Sequence, residues 1–140
     1  MKFFQLEPEV AGGFGDNTVI EDTAARPLRI QRLEYRFDGW LGDDLLETVG
    51  CFIATPPLAK AIQLAHSTGV DFADVEVSKS PEFEELYPNL QIPTFVWLKV
   101  FGKAGSDDFG LSKENKLVVS ELAFNVLQLF ALRHCEVAEY

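Results

Sequence analysis

Two stretches of the chain share one pattern of apolar and polar positions. In residues 51–64, an apolar strand-like run reaches Thr55, and apolar residues at helical spacing follow it. Residues 116–129 repeat this pattern, with Ser120 in the place of Thr55. Thr and Ser are favoured at helix N-caps because their side-chain oxygen accepts a hydrogen bond from a free backbone N–H of the first turn. The pattern therefore predicts a strand followed by a helix in each stretch.

Each stretch is followed by a short segment with the composition of a strand, Asp74–Val77 in the first and His134–Val137 in the second. The sequence thus predicts a repeated strand-helix-strand unit, at residues 51–78 and again at 116–138. The residues expected to face the core recur at helical spacing. They are Leu58, Ala61, Ile62 and Ala65 in the first helix, and Leu122, Val126, Leu129 and Phe130 in the second.

The rest of the chain predicts further strands joined by long loops. Apolar and charged residues alternate from Arg32 to Phe37, which places Leu33, Tyr35 and Phe37 on one buried face. Other expected elements are strands at 2–6 and 95–101, a short helix capped by Ser80, a helical turn at 45–47, and loops at 11–27 and 102–115. These elements predict an α+β fold with two main helices packed on one mixed sheet of about six to eight strands.

Composition narrows the classes of function. The 140 residues suit one domain, residues 1–140, and 22 acidic against 12 basic residues give a net charge of −10. This charge repels nucleic acid and anionic lipid and speeds encounter with basic partners, so direct nucleic-acid and membrane binding are not expected. The start of the chain does not resemble a secretory signal, which predicts a cytosolic protein. Cys51 and Cys135 are predicted to be buried reduced thiols, unless their strands prove to be direct neighbours.

No enzymatic signature is evident in the sequence, and neither a metal nor a cofactor is predicted. Asp107–Gly110 contains the Asp-Phe-Gly string of protein kinases, but the Gly-rich loop and the catalytic-loop motif that accompany it are missing. His134 and Cys135 are neighbours in a predicted strand, so their side chains point to opposite faces and cannot act as base and nucleophile together. We therefore predict that the protein is not an enzyme.

Acidic residues close to aromatic residues in predicted loops suggest a surface that binds another protein. Trp40 and Leu41 lie in a Gly-flanked loop among Asp and Glu residues, as an apolar anchor lies within a charged rim. The predicted partner-binding residues are Phe14, Asp16, Trp40, Leu41, Asp43, Asp44, Glu47, Asp107, Asp108 and Phe109. A small hydrolase that uses the carboxylates near Trp40, and an adaptor or regulatory domain, are the alternatives.

Taken in order, these segments resemble the bacterial immunity proteins of polymorphic toxin systems, specifically the eleventh numbered immunity family, formerly a domain of unknown function. The resemblance rests on a diffuse pattern over most of the chain, carried by residues 2–6, 52–55, 74–77, 95–100 and 117–120. It implies a protein of the bacterial cytoplasm that binds and neutralises a cognate secreted toxin as a 1:1 complex, without catalytic residues of its own. Occlusion or distortion of the toxin's active site would be the mechanism.

The charge of the chain agrees with that expectation. Toxins that attack nucleic acid carry a basic substrate cleft, and a carboxylate-rich surface can mimic phosphate there. A nuclease, in particular a DNase, is therefore the first expectation for the toxin. Toxins that degrade NAD or transfer ADP-ribose come second.

Overall fold

The computed structural model describes residues 1–25 and 28–140, which fold into a mixed α+β structure that is mostly sheet. This confirms the predicted class. Within these described ranges there are thirteen strands and three helices. The strands are β1 (Phe3–Glu7), β2 (Gly12–Phe14), β3 (Val19–Asp22), β4 (Arg29–Arg32), β5 (Glu34–Phe37), β6 (Leu45–Thr48), β7 (Cys51–Ala54), β8 (Val70–Asp74), β9 (Glu76–Lys79), β10 (Val96–Val100), β11 (Phe109–Leu111), β12 (Leu117–Ser120) and β13 (Glu136–Glu139). The helices are α1 (Pro56–Leu64), α2 (Pro81–Leu86) and α3 (Glu121–Leu127).

The strands form several sheets, so the prediction of one mixed sheet of six to eight strands is wrong. Two antiparallel four-stranded sheets have the orders β11-β12-β1-β13 and β6-β7-β10-β8. A three-stranded sheet, β2-β5-β9, is mixed because β5 and β9 run parallel, and β3 pairs with β4 in a hairpin. The error arises because alternation of apolar and polar residues is a local signal, which identifies strands but does not show which strands pair.

Two hydrophobic cores lie on opposite faces of the β6-β7-β10-β8 sheet. On one face, Phe52 and Leu98 pack with Leu58 of α1 and Leu127 of α3, and the two helices contact each other. On the other face, the side chains of Ile53 and Trp97 join the core of the three-stranded sheet. Burial on both faces explains why β7 is apolar at every position instead of alternating.

Capping confirms two of the three predicted helix starts in detail. The Ser80 hydroxyl accepts a hydrogen bond from Phe83 N at 3.1 Å, and the Ser120 hydroxyl accepts one from Ala123 N at 3.1 Å. Thr55 occupies the N-cap of α1, but its side chain makes no capping hydrogen bond. Its hydroxyl instead donates to the Asp44 carboxylate at 2.7 Å, so this residue links the helix start to a distant loop.

Three segments that were predicted as loop or helical turn contain strands. Residues 45–47 belong to β6, because they pair with β7 through a two-residue turn at Val49–Gly50. The predicted loop at 102–115 contains β11, and the predicted loop at 11–27 contains β2 and β3. Residues 26 and 27 of that loop lie outside the described residues. In each case pairing with another strand overrides weak local propensity; the partner is the next strand along the chain for β3, β6 and β11, and the more distant β5 for β2.

The predicted buried faces of the helices are only partly correct. Leu58 and Ile62 of α1 are buried as predicted, but Ala65 is exposed. In α3, which corresponds to the second predicted helix, the buried residues are Ala123 and Leu127, whereas Leu122 and Leu129 are exposed. The predicted stripe is one residue out of phase with the buried pair Ala123 and Leu127, and α3 ends at Leu127, so Leu129 lies beyond the helix.

Both cysteines are free in the folded chain. Cys51 is buried in β7, and Cys135 is partly buried just before β13. Burial raises the pKa of the Cys51 thiol to about 12 and that of the Cys135 thiol to about 11. No helix in the described ranges is long and apolar enough to cross a membrane.

Candidate protein-interaction surface

A shallow groove of about 300 Å³ lies where the loop at residues 38–41 passes beside residues 9–12. We call it the Trp40 groove; it is lined by Glu9, Val10, Ala11, Gly12, Asp38, Gly39, Trp40, Leu41 and Tyr87. Leu41 is 67% exposed and Val10 is 66% exposed, and Tyr87 exposes nearly half of its surface. Three solvated apolar side chains around one depression are a feature typical of surfaces that bind a partner.

Hydrogen bonds to a buried carboxylate hold the loop of this groove in place. Glu9 Oε2 accepts from Leu41 N at 2.8 Å, and Glu9 Oε1 accepts from Asp43 N at 3.4 Å. The Trp40 indole N–H donates to the Asp43 carbonyl at 3.0 Å, and its ring packs edge-on against Phe95 with centroids 5.8 Å apart. Leu41 is therefore presented by a preorganised loop, which lowers the entropy lost when a partner binds.

The charge around the Trp40 groove is negative. Glu9 and Asp38 line it, and Glu84 and Glu85 precede Tyr87 on the last turns of α2. Among the described residues that line the groove, none is Lys or Arg. An apolar side chain flanked by Lys or Arg on a partner would complement this surface in both shape and charge.

Asp43 is buried, which corrects its predicted role in partner binding. It is 1% exposed, and its two carboxylate oxygens accept from Arg133 N at 3.0 Å and His134 N at 2.7 Å. A buried carboxylate that satisfies backbone donors fixes a chain crossing and is inaccessible to a partner in this conformation. Asp43 therefore joins the loop at 38–43 to the segment that follows α3.

Asp44 is likewise engaged within the fold. Its Oδ1 accepts from the Thr55 hydroxyl at 2.7 Å, and its Oδ2 accepts from Ala131 N at 2.7 Å. Since both oxygens of Asp43 and both oxygens of Asp44 already accept hydrogen bonds, these carboxylates have the environment of structural groups.

The Asp107 and Asp108 carboxylates also accept hydrogen bonds within the fold, beside the β11-β12-β1-β13 sheet. Asp108 Oδ1 accepts from the Ser120 hydroxyl at 2.7 Å, and its Oδ2 accepts from Thr68 N at 2.9 Å. Asp107 Oδ2 accepts from Lys103 N at 2.7 Å. Phe109 is fully buried in the core, so its predicted role as an exposed anchor is corrected.

The remaining predicted residues lie away from the lining of the Trp40 groove. Phe14 is half-buried on β2, and Asp16 is exposed and pairs with Arg36 at 3.4 Å. Glu47 is half-buried on β6, and burial raises its pKa, opposed by the nearby charge of Lys116. Of the ten predicted residues, the structure thus places Trp40 and Leu41 together in one groove.

The sequence did not single out three residues of the groove: Glu9, Val10 and Tyr87. Glu9 contacts Leu41 across 32 positions of the chain, and Tyr87 approaches Gly39 from the end of α2. An exposed Val between an acidic residue and a glycine turn carries no local signal. Such residues are recognised only when the chain is folded.

In the described part of the chain, no group of three or more His, Cys, Asp or Glu side chains could hold a metal ion. Comparisons of the sequence with protein-family models and with curated proteins gave no match.

Proposed function

We propose that this protein is an immunity protein that binds and neutralises a cognate secreted bacterial toxin in the cytoplasm of the cell. The Trp40 groove is the observation that carries the proposal: a preorganised loop presents exposed apolar side chains beside carboxylates, on a chain of net charge −10. The resemblance to the eleventh immunity family supplies the class of partner. A nuclease toxin, and in particular a DNase, fits best because its substrate cleft must be basic.

Binding at the Trp40 groove would follow the usual energetics of inhibitor interfaces. Leu41 and Val10 would desolvate an apolar side chain of the toxin, and Asp38 would face a basic residue at the rim. The net charge of the whole protein would raise the association rate with a basic toxin, and this gain would fall as salt increases. Occlusion of the substrate cleft follows if the bound loop lies across it.

The test is co-expression with the product of the neighbouring gene, followed by capture of the tagged protein and a growth assay. We expect a 1:1 complex and protection from toxicity. Leu41→Arg should abolish both, because it places a positive charge where a basic partner docks. Leu64→Arg on α1 is the matched control, since Leu64 is 68% exposed and Leu41 is 67% exposed.

Absence of capture and of protection would contradict the immunity function. Capture of a non-toxic partner through the same groove would favour an adaptor domain. Unchanged binding of Leu41→Arg would place the interface elsewhere on the surface. Equal loss of binding in both Leu variants would mean that the added positive charge, and not the Trp40 groove, decides binding.

We also infer that the two four-stranded sheets are copies of one unit, built around α1 and α3 as the two main helices. In each sheet, the strand before the helix and the strand after it flank one central strand, β10 in one sheet and β1 in the other. Asp44 and Asp108 support the inference: each precedes an edge strand and accepts a hydrogen bond from the N-cap hydroxyl of its own unit. Each also accepts a backbone N–H from the segment that follows the helix of the other unit.

A further inference from the structure

A second cleft, of opposite character, lies between the β3–β4 hairpin and the β6-β7-β10-β8 sheet. Its volume is about 490 Å³, which is within the range of small-molecule sites. We call it the Lys99 cleft; its lining includes Leu28, Arg29, Cys51, Trp97, Lys99 and Phe101. It shares none of its lining residues with the Trp40 groove.

The lining of the Lys99 cleft combines an apolar wall with two positive charges. Phe101 is 63% exposed and Leu28 is half-buried, whereas Trp97 lines the cleft with only 6% of its surface exposed. Arg29 and Lys99 contribute positive charge, against one negative residue, Asp71. A locally positive site is notable on a chain in which acidic residues outnumber basic ones by 22 to 12.

The Lys99 side chain lies over the Trp97 ring and not against its acidic neighbour Asp71. Lys99 and Asp71 are cross-strand partners on β10 and β8, but they form no salt bridge in the described part of the chain. The Lys99 Nζ lies instead 4.9 Å from the centroid of the Trp97 ring. An ammonium group has three N–H donors, so contact with one aromatic face still leaves a donor for an anion in the cleft.

We propose that the Lys99 cleft binds a small amphipathic carboxylate, with an aromatic or aliphatic body and one negative group. The apolar body packs against Leu28 and Phe101, and the carboxylate pairs with Lys99 and Arg29. Shape, apolar lining and charge agree on this class of ligand, because a carboxylate can form charge-assisted hydrogen bonds with the two cations and a neutral apolar ligand cannot. The inference does not depend on the proposed immunity function, since the two sites are separate.

The experiment is an NMR titration of the ¹⁵N-labelled full chain with 2-naphthoate and with its neutral amide, 2-naphthamide. We expect saturable shifts at residues 50–51 and 97–101 with naphthoate, and about tenfold weaker binding of the amide, because the amide forms no charge-assisted hydrogen bond. Lys99→Gln should weaken naphthoate about tenfold while leaving the amide unchanged. Lys60→Gln on α1 is the control for a lost positive charge, and the amide spectrum of each variant reports its fold.

Three results would overturn the proposal. The first is no saturable shift with either compound. The second is a set of shifts confined to the Trp40 groove. The third is equal naphthoate affinity for the unmodified protein and Lys99→Gln.

Discussion

The Asp44 carboxylate should contribute measurably to stability, because it joins the start of α1 to the segment after α3. Its partners are the hydroxyl of Thr55, which is 5% exposed, and the N–H of Ala131, which is partly buried. In Asp44→Ala the buried hydroxyl loses its acceptor, and the N–H must find water in its place. An unsatisfied buried donor costs about 1–3 kcal/mol and a partly hydrated one less, so we expect a loss of about 2–4 kcal/mol.

The assay is urea unfolding of Asp44→Ala, Thr55→Val and the double variant. Thr55→Val is a clean probe because the Thr55 side chain does not cap α1, so its hydroxyl serves the Asp44 contact. The double variant should cost about 1–2 kcal/mol less than the sum of the single variants, since it leaves no orphaned hydroxyl. For a chain of 140 residues, a loss of about 3 kcal/mol corresponds to a fall in Tm of about 10 °C.

Asp108→Ala should behave like Asp44→Ala, because the Asp108 carboxylate binds the Ser120 hydroxyl and Thr68 N in the equivalent places. Asp74→Ala, at an exposed position, is the control for a lost negative charge. A cost below about 0.5 kcal/mol for Asp44→Ala, the level of an ordinary surface substitution, would refute the structural role. Strict additivity of Asp44→Ala with Thr55→Val would refute the coupling.

Three further predictions test other parts of the molecule. Val49 has φ +44° in the two-residue turn between β6 and β7, and a left-handed conformation costs a β-branched residue about 1–2 kcal/mol. Val49→Asn should therefore raise the free energy of unfolding, measured by urea denaturation, by about 1 kcal/mol. An unchanged urea midpoint would contradict this prediction. Burial raises the pKa of Glu47, so the folded state holds this proton to higher pH than the unfolded chain, and stability is lost as pH rises through that window. Glu47→Gln should therefore be more stable than the unmodified protein at pH 7, with the difference vanishing below about pH 4, as a series of urea midpoints would show. Burial raises the thiol pKa of Cys51 to about 12 and that of Cys135 to about 11. Both thiols should therefore react with a disulfide reagent at pH 8 far more slowly in the folded protein than in the protein unfolded by guanidinium. Equal reaction rates in the two states would refute the burial argument.

The sequence by itself determined features that depend on neighbouring residues. The α+β class follows from the two periodicities of the chain, and the burial of Leu33, Tyr35 and Phe37 follows from their alternation. Ser80 and Ser120 cap their helices because a hydroxyl at that position reaches an N–H only three residues ahead. Such interactions span one turn or one strand, so the order of residues is sufficient to predict them.

Tertiary structure decided which residues face solvent and which charges are free. Asp43 and Leu41 are two residues apart in one loop, yet Asp43 is buried against a segment 90 and 91 positions away and Leu41 is exposed. The sequence predicts that both residues lie on the surface. It does not show that, after folding, the backbone N–H groups of a distant segment need the Asp43 carboxylate as their acceptor. The Trp40 groove likewise joins segments near residues 9, 40 and 87, and only pairing between distant parts of the chain brings them together.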